Sequence, residues 1–429
     1  MAPRRRAVMV VLCCMAARVS TAQPPTPLTL AQAEQTALRN HPQVQAAQFT
    51  ARAASEVVRE ARSAYFPAAF GSVTGAEAEN GSRIAAGGLN NPVIYDRFAT
   101  GVTIGQLLTD FGRTHALVAS ASLNAQAQEQ FVFGQRALVL LDVDRAYFGA
   151  LRAQVVERVA QSTVDARQLN LDQVNALASS NLRSGLDVSF AQVNLSSAQL
   201  LLAQAQNDTQ RAFAILAAAL GTPTAGAVVL SEEPLPSAPA PDSAPLVAEA
   251  FRQRPDILAA RFSAESAARL ADAEGDLFHP AITAVGAVGV TPYHQAGIND
   301  RYAAVGVNVN VPIMNGNLFA ARHAEAALRA QAVAQRLRDL ENQVSRDVQI
   351  AWLNARTAFQ RLDLTNQLLA HASQARDLAQ SRYNLGLSSI VELSQAQLNE
   401  TQAQLEQASA KYDYQGQIAA LGFATGARQ

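Results

Sequence analysis

The sequence is short of most of what a compact enzyme uses. Of its 429 residues only Cys13 and Cys14 are cysteine. Both lie in an apolar N-terminal stretch, so a chain processed behind it has no disulfide, thiolate metal site or cysteine nucleophile. Charged residues are 16% and aromatic residues 6%, where an average domain is about a quarter charged. A net charge of −1 leaves no basic footprint for nucleic acid. His41, His115, His279, His294, His323 and His371 are isolated, with no pair at a metal-ligand spacing such as His-x-x-x-His. No Gly-rich phosphate loop follows a strand, and no Ser-His-Asp set can be argued. No metal, cofactor or catalytic residue is therefore expected. After the N-terminal stretch no apolar run reaches 18 residues, so no transmembrane helix is expected.

That N-terminus reads as a secretory signal over residues 1–22. Arg4, Arg5 and Arg6 precede an apolar core from Ala7 to Ala17, and Ser20-Thr21-Ala22 is a small-residue cleavage site. A lipoprotein site wants a small residue before its cysteine, and Leu12 precedes Cys13.

Proline is absent after Pro312, and Asn317 to Leu385 contains neither Gly nor Pro. An unbroken helix of that length spans about 100 Å, far beyond the three turns of an average helix. Leu337, Leu340, Val344, Val348, Ala351 and Ala355 form a narrow stripe for partner helices. Trp352 on the same run reads as packing. A second long run precedes a tip at Asn181 to Gly185 and a return helix striped by Val188, Ala191, Leu195, Ala198, Leu202, Ala205 and Leu216. Nearer the N-terminus, Ala31 to Arg39 reads as a short helix, with Asn40 expected to cap the next one from Gln43.

The pattern repeats. His41-Pro42-Gln43 and Tyr65-Phe66-Pro67 recur as Arg254-Pro255-Asp256 and Phe278-His279-Pro280, and Asp142-Val143 recurs as Asp347-Val348 at an offset of 205. The expected organisation is a first repeat over 23–222, a Pro-rich linker over 223–245 and a second repeat over 246–429. Each repeat holds a helix, a β-hairpin, a long helix and a return helix. The expected strands are Ala68 to Glu79, Arg97 to Leu108, Ala281 to Thr291 and Tyr302 to Ile313, with Asn80 to Asp96 a loop and Asp110-Phe111-Gly112 closing the first hairpin. In the last strand Val305, Val307, Val309, Val311 and Ile313 alternate with residues that include Asn308 and Asn310. Such alternation over about ten residues is apolar to lipid and polar to the lumen of a membrane barrel, which makes Asn308 and Asn310 lumen candidates. On the partner strand Thr100 and Gln106 interrupt the apolar face. Phe66, Tyr95, Phe98, Phe278, Tyr293 and Tyr302 fall near strand ends, where an aromatic girdle sits. Four strands cannot close in lipid; three copies give twelve, the smallest shared barrel that leaves a pore.

With Leu30 through Asn40-His41-Pro42, Tyr65-Phe66-Pro67, Asp110-Phe111-Gly112, Arg254-Pro255-Asp256, Phe278-His279-Pro280 and the Gly386 to Ala396 tip in view, the mature chain resembles the TolC-like outer membrane efflux proteins over nearly its whole length. The implied fold is mainly α with a membrane β-barrel: long antiparallel helices in an α-helical tunnel, and two hairpins per chain in a shared twelve-stranded barrel of a homotrimer. The implied function is a passive exit duct in the outer membrane of a Gram-negative-type bacterium, with a large periplasmic portion. The implied partners are a periplasmic adaptor and an inner-membrane pump of RND or ABC type. Residues Asp187 and Glu392 then become candidates for the inner tunnel mouth, although each also suits a helix-capping role. Arg183 and Arg382 are candidate partners for those acids or solvated helix-end charges. Gly185-Leu186 and Gly386-Leu387 are candidate adaptor-docking tips. A channel for type I protein secretion and an exported coiled-coil rod without a pore are the alternative readings.

Overall fold

The computed structural model describes residues 27–77, 79, 96–223, 229–294 and 299–428. The expected signal peptide, Tyr95 and the expected first hairpin loop up to residue 95 lie outside the described residues. Eight α-helices are described: α1 (Leu30–Asn40), α2 (Pro42–Ser63), α3 (Arg113–Ser179), α4 (Gly185–Ala219), α5 (Ala244–Gln253), α6 (Pro255–Gly275), α7 (Leu318–Asn384) and α8 (Ile390–Thr425), with a 3-10 turn over Asp276–Phe278 after α6. Four strands accompany them: β1 (Ala68–Ala76), β2 (Arg97–Thr109), β3 (Ala281–His294) and β4 (Arg301–Asn310). Two helices, two strands and two long helices thus follow one another twice along the chain.

α3 and α7 each run 67 residues, about 100 Å at the helical rise. α3 passes Gly134 and Gly149 without a break. On α7 the stripe buries Val344, Val348, Ala351 and Ala355 as its spacing requires, and continues to Thr365, Ala372, Ala379 and Tyr383. Alanine on the stripe lets neighbouring helices approach closely. Toward the strands α2, α3, α6 and α7 pack in that order; toward the tips the order is α4, α3, α8 and α7. Each layer ends on helix flanks that carry exposed leucines and valines, such as Val193 and Leu200 on α4 and Leu364 and Leu378 on α7.

Two apolar cores sit near mid-height. One gathers Ala33, Ala37, Val44, Val143, Leu216 and Leu230 around the fully buried Tyr147. Its hydroxyl donates to the Ser231 carbonyl at 2.7 Å and lies 2.8 Å from that of Leu28. Burial and the Glu233 carboxylate push this phenol up to about 12. The second core packs Ile257, Val344, Val348, Ala351 and Leu421 beside Trp352, whose indole N–H donates to the Ala240 carbonyl at 2.7 Å. The Pro-rich segment therefore straps both cores.

Local chemistry shifts several expected boundaries. Asn40 ends α1 and is not the cap of α2. That cap is His41, whose Nδ1 accepts from the Gln43 N–H at 3.3 Å, with Pro42 in the first turn, where its missing N–H costs nothing. Asp110-Phe111-Gly112 joins β2 to α3 and does not close the hairpin; Asp110 Oδ2 accepts from the Thr114 N–H at 2.8 Å. The first strand stops at Ala76, short of Glu79. The third strand runs beyond Thr291 to His294. The last one ends at Asn310, so Val311 and Ile313 leave the ladder. The partner strand β3 begins at Ala281, directly opposite Asn310 and behind Pro280, so no ladder remains for Val311 onward.

Candidate conduit surfaces and helical tips

The strands form one antiparallel sheet in the order β1-β2-β3-β4. Directly opposed residues share a face, so the register sorts the sheet. Val305, Val307 and Val309 stand opposite Gly286, Ala284 and Ile282. Through β3 they share their face with Val102 and Ile104, and through β2 with Ala69 and Val73. On the other face Asn308 and Asn310 stand opposite Thr283 and Ala281, in a surface that continues to Thr103, Ser72 and Thr74. One face is aliphatic and the other is polar or small over most of its area, as lipid and lumen require. Gln106 interrupts the apolar face but spends its amide on backbone, donating to the Tyr65 and Leu107 carbonyls at 3.1 and 2.7 Å. Phe98 and Tyr293 are paired at one end of the apolar band, and Phe66 and Phe278 precede the strands at the other. Tyr302 lies over Gly289 and Gly101, where a Cβ would collide with its hydroxyl.

At the far end the two long helical pairs turn through near-identical tips. α3 ends with Asn181 at φ 57; the Leu182 N–H reaches the Leu177 carbonyl at 2.9 Å and the Asn181 N–H that of Ala178 at 3.0 Å. α7 ends with Gly386 at φ 74, with the Leu387 N–H on Arg382 at 2.8 Å and the Gly386 N–H on Tyr383 at 3.0 Å. Both are Schellman closures, which need a left-handed residue. The conformational counterpart of Gly386-Leu387 is therefore Asn181-Leu182. Gly185 and Leu186 lie instead in the first turn of α4. Leu182, Leu186, Leu385 and Leu387 are all more than 60% exposed.

Asp187 and Glu392 both occupy the third position of their helices, behind the caps Ser184 and Ser389. Asp187 completes a reciprocal capping box, accepting from the Ser184 N–H at 3.0 Å while its own N–H meets the Ser184 Oγ at 3.3 Å. Glu392 turns away from its cap and pairs with Arg382 at 3.3 Å. Arg183 meets neither acid. Its Nη2 donates to the Tyr383 carbonyl at 2.7 Å and its guanidinium stacks 3.9 Å from the Tyr383 ring centre. Tyr383 is 4% exposed, and its hydroxyl has no partner among the described residues. Burial, and then the Asp187 charge, raise its phenol pKa against the opposing pull of Arg183. Phe190 packs against Ala379, Tyr383, Ile390 and Leu393, and the Asn194 amide donates to Ser394 Oγ at 2.8 Å. The two hairpins are thus tied together at their ends. Tyr383 has no place in the sequence reading; its signal was an aromatic residue on the α7 stripe where the first repeat carries Ala178.

Among the described residues no helix is long and apolar enough to cross a membrane, and no cluster of His, Cys, Asp or Glu could hold a metal ion. The Outer membrane efflux protein family matches residues 34–222 and 246–427. The chain is 23% identical over 399 residues to Outer membrane protein TolC of Escherichia coli (strain K12), covering 90% of this chain and 79% of that protein. It is 26% identical over 388 residues to Protein CyaE of Bordetella pertussis, covering 86% and 78%. The crystal structure of the outer membrane protein VceC from Vibrio cholerae superposes with a TM-score of 0.80 at 20% identity, over 92% of this chain and 96% of that one. A sheet with one lipid-type face, helices about 100 Å long and a family match over both halves lead to one conclusion: the chain belongs to the outer membrane efflux protein family.

Proposed function

We propose that three copies of this chain form a passive duct through the outer membrane, which takes small molecules from an inner-membrane pump through a periplasmic adaptor. The observation that carries the reading is the four-stranded sheet with one aliphatic face and free outer edges on β1 and β4. Unpaired backbone cannot remain in lipid. A head-to-tail ring pairs β4 of one copy with β1 of the next, and the exposed flanks of α7 and α4 meet along the same seam. The duct carries out no reaction of its own. Asn308 and Asn310 line the barrel, Asp187 and Glu392 face the inner mouth, and the exposed Leu182, Leu186, Leu385 and Leu387 with Gly185 and Gly386 form the adaptor-docking end. The division into repeats 23–222 and 246–429 with a linker over 223–245 belongs to the same reading, supported by the recurring order of elements, as does a signal over 1–22.

Single-channel conductance of the detergent-extracted protein in a planar bilayer, with its mass measured alongside, tests the proposal. A trimer with steady, cation-preferring conductance is expected, and Asp187→Asn with Glu392→Asn should weaken the preference. A folded monomer that never inserts would overturn the duct. Val307→Asp should also prevent membrane assembly, because a charge facing lipid costs up to a few kcal/mol, roughly 2–4 for the worst residues at mid-depth. Normal trimer yield from that variant would reverse the assignment of the two sheet faces.

A further inference from the structure

Among the described residues Asp144 is the one fully buried acid, 0% exposed on α3 beside the Tyr147 core. A carboxylate that leaves water needs a counter-charge or donors. Among the described residues neither carboxylate oxygen has a hydrogen-bond partner, and one side chain supplies the counter-charge. Arg428, at the far end of the sequence, places Nη1 against Asp144 Oδ2 and 3.1 Å from Glu34 Oε1 on α1. The contact spans 284 positions and joins the end of the second half of the chain to the core of the first.

The path that delivers Arg428 is itself tightly held. α8 ends at Gly426, whose φ of 77 sends the chain back on itself. The Ala427 N–H bonds to the Gly422 carbonyl at 3.0 Å, and the Arg428 side chain lies across Gly422. A Cβ on Gly426 would come within 3.0 Å of the Arg254 backbone nitrogen. Arg254 donates in turn to the Ala424 carbonyl at 3.0 Å and makes a 2.6 Å ion pair with Asp256.

We infer that residues 426–428 form a C-terminal latch, in which Arg428 neutralises the buried Asp144 and so clamps α8 to α1 and α3 at mid-height of the molecule. The latch fixes this level of the molecule. Its acid is fully buried while Arg428 is 34% exposed, unlike surface pairs such as Arg152–Asp413, in which both side chains, at 48% and 32%, reach solvent. It does not depend on the duct reading.

The test is a charge-deletion cycle on the full chain, read by thermal unfolding and by fluorescence of Trp352, the only tryptophan, in the neighbouring core. Arg428→Ala should lower the unfolding midpoint by about 3–6 °C, since it strands a buried charge. Arg428→Lys should recover part of the loss. Asp144→Asn combined with Arg428→Ala should recover most of it, because an amide needs no counter-charge. Arg152→Ala should move the midpoint far less. An unchanged midpoint in Arg428→Ala would overturn the latch. So would a loss, including failure to fold, that Asp144→Asn does not relieve, because Arg428 would then act elsewhere.

Discussion

The two helical tips are built from one plan and wired differently. Each has a Schellman closure, a serine cap two residues later and an acid at the third helical position, at a constant offset of 205. The first uses asparagine at the left-handed position and spends its acid on a capping box; the second uses glycine and spends its acid on Arg382. Only the first tip sends a cation across, from Arg183 to Tyr383. Backbone geometry thus fixes the shape of a tip, while the charges on it remain free to serve a local cap or a long-range tie.

The largest test of this comparison removes the crossing cation. Arg183→Ala loses a stacked guanidinium, about 0.5–2 kcal/mol, and a charged hydrogen bond, about 1.5–3 kcal/mol. Spin labels at residues 182 and 387 should then report a broader distance distribution. Ser388→Ala, at the equivalent place in the second tip, should leave it unchanged; equal broadening would erase the distinction. Next in size is the left-handed residue. Gly386→Ala should cost about 1–2 kcal/mol in thermal unfolding, whereas Asn181→Gly should be neutral or slightly stabilising. A comparable loss at both positions would mean that side-chain bonds, not φ, hold the first closure. The acids come last. Asp187→Ala should cost about 1 kcal/mol through the lost box. Glu392→Ala should cost under about 1 kcal/mol, because Arg382 and Glu392 are both about half exposed. The reverse order would show that the Arg382 pair, rather than the box, is the stronger device.

Much of this architecture was legible in the residues. The stripe Val344, Val348, Ala351 and Ala355 is buried where its spacing put it, and Val305, Val307 and Val309 share the face their alternation assigned. Strand ends were less legible, because alternation continued through Val311 and Ile313 although the partner strand β3 begins opposite Asn310. Capping misled at Asn40 because asparagine and histidine can both accept at a helix start, and the Pro42 position decided between them. The left-handed turn of the first tip was hidden for a related reason: such a turn also admits asparagine, and Asn181, not a glycine, takes it.

The sequence by itself determined the helices, the strands, the sheet faces and the twofold order of elements, because each follows from a periodicity read over ten to seventy neighbouring residues. Only the tertiary structure decided that Arg183 meets Tyr383, 200 residues away, that Gln106 turns back to the Tyr65 carbonyl, and that Arg428 reaches Asp144. A stripe on an ideal helix drifts by about 20° per heptad. Over helices of about 100 Å that drift accumulates to several side-chain positions, so local pattern sets each rod while packing between rods selects which side chains meet.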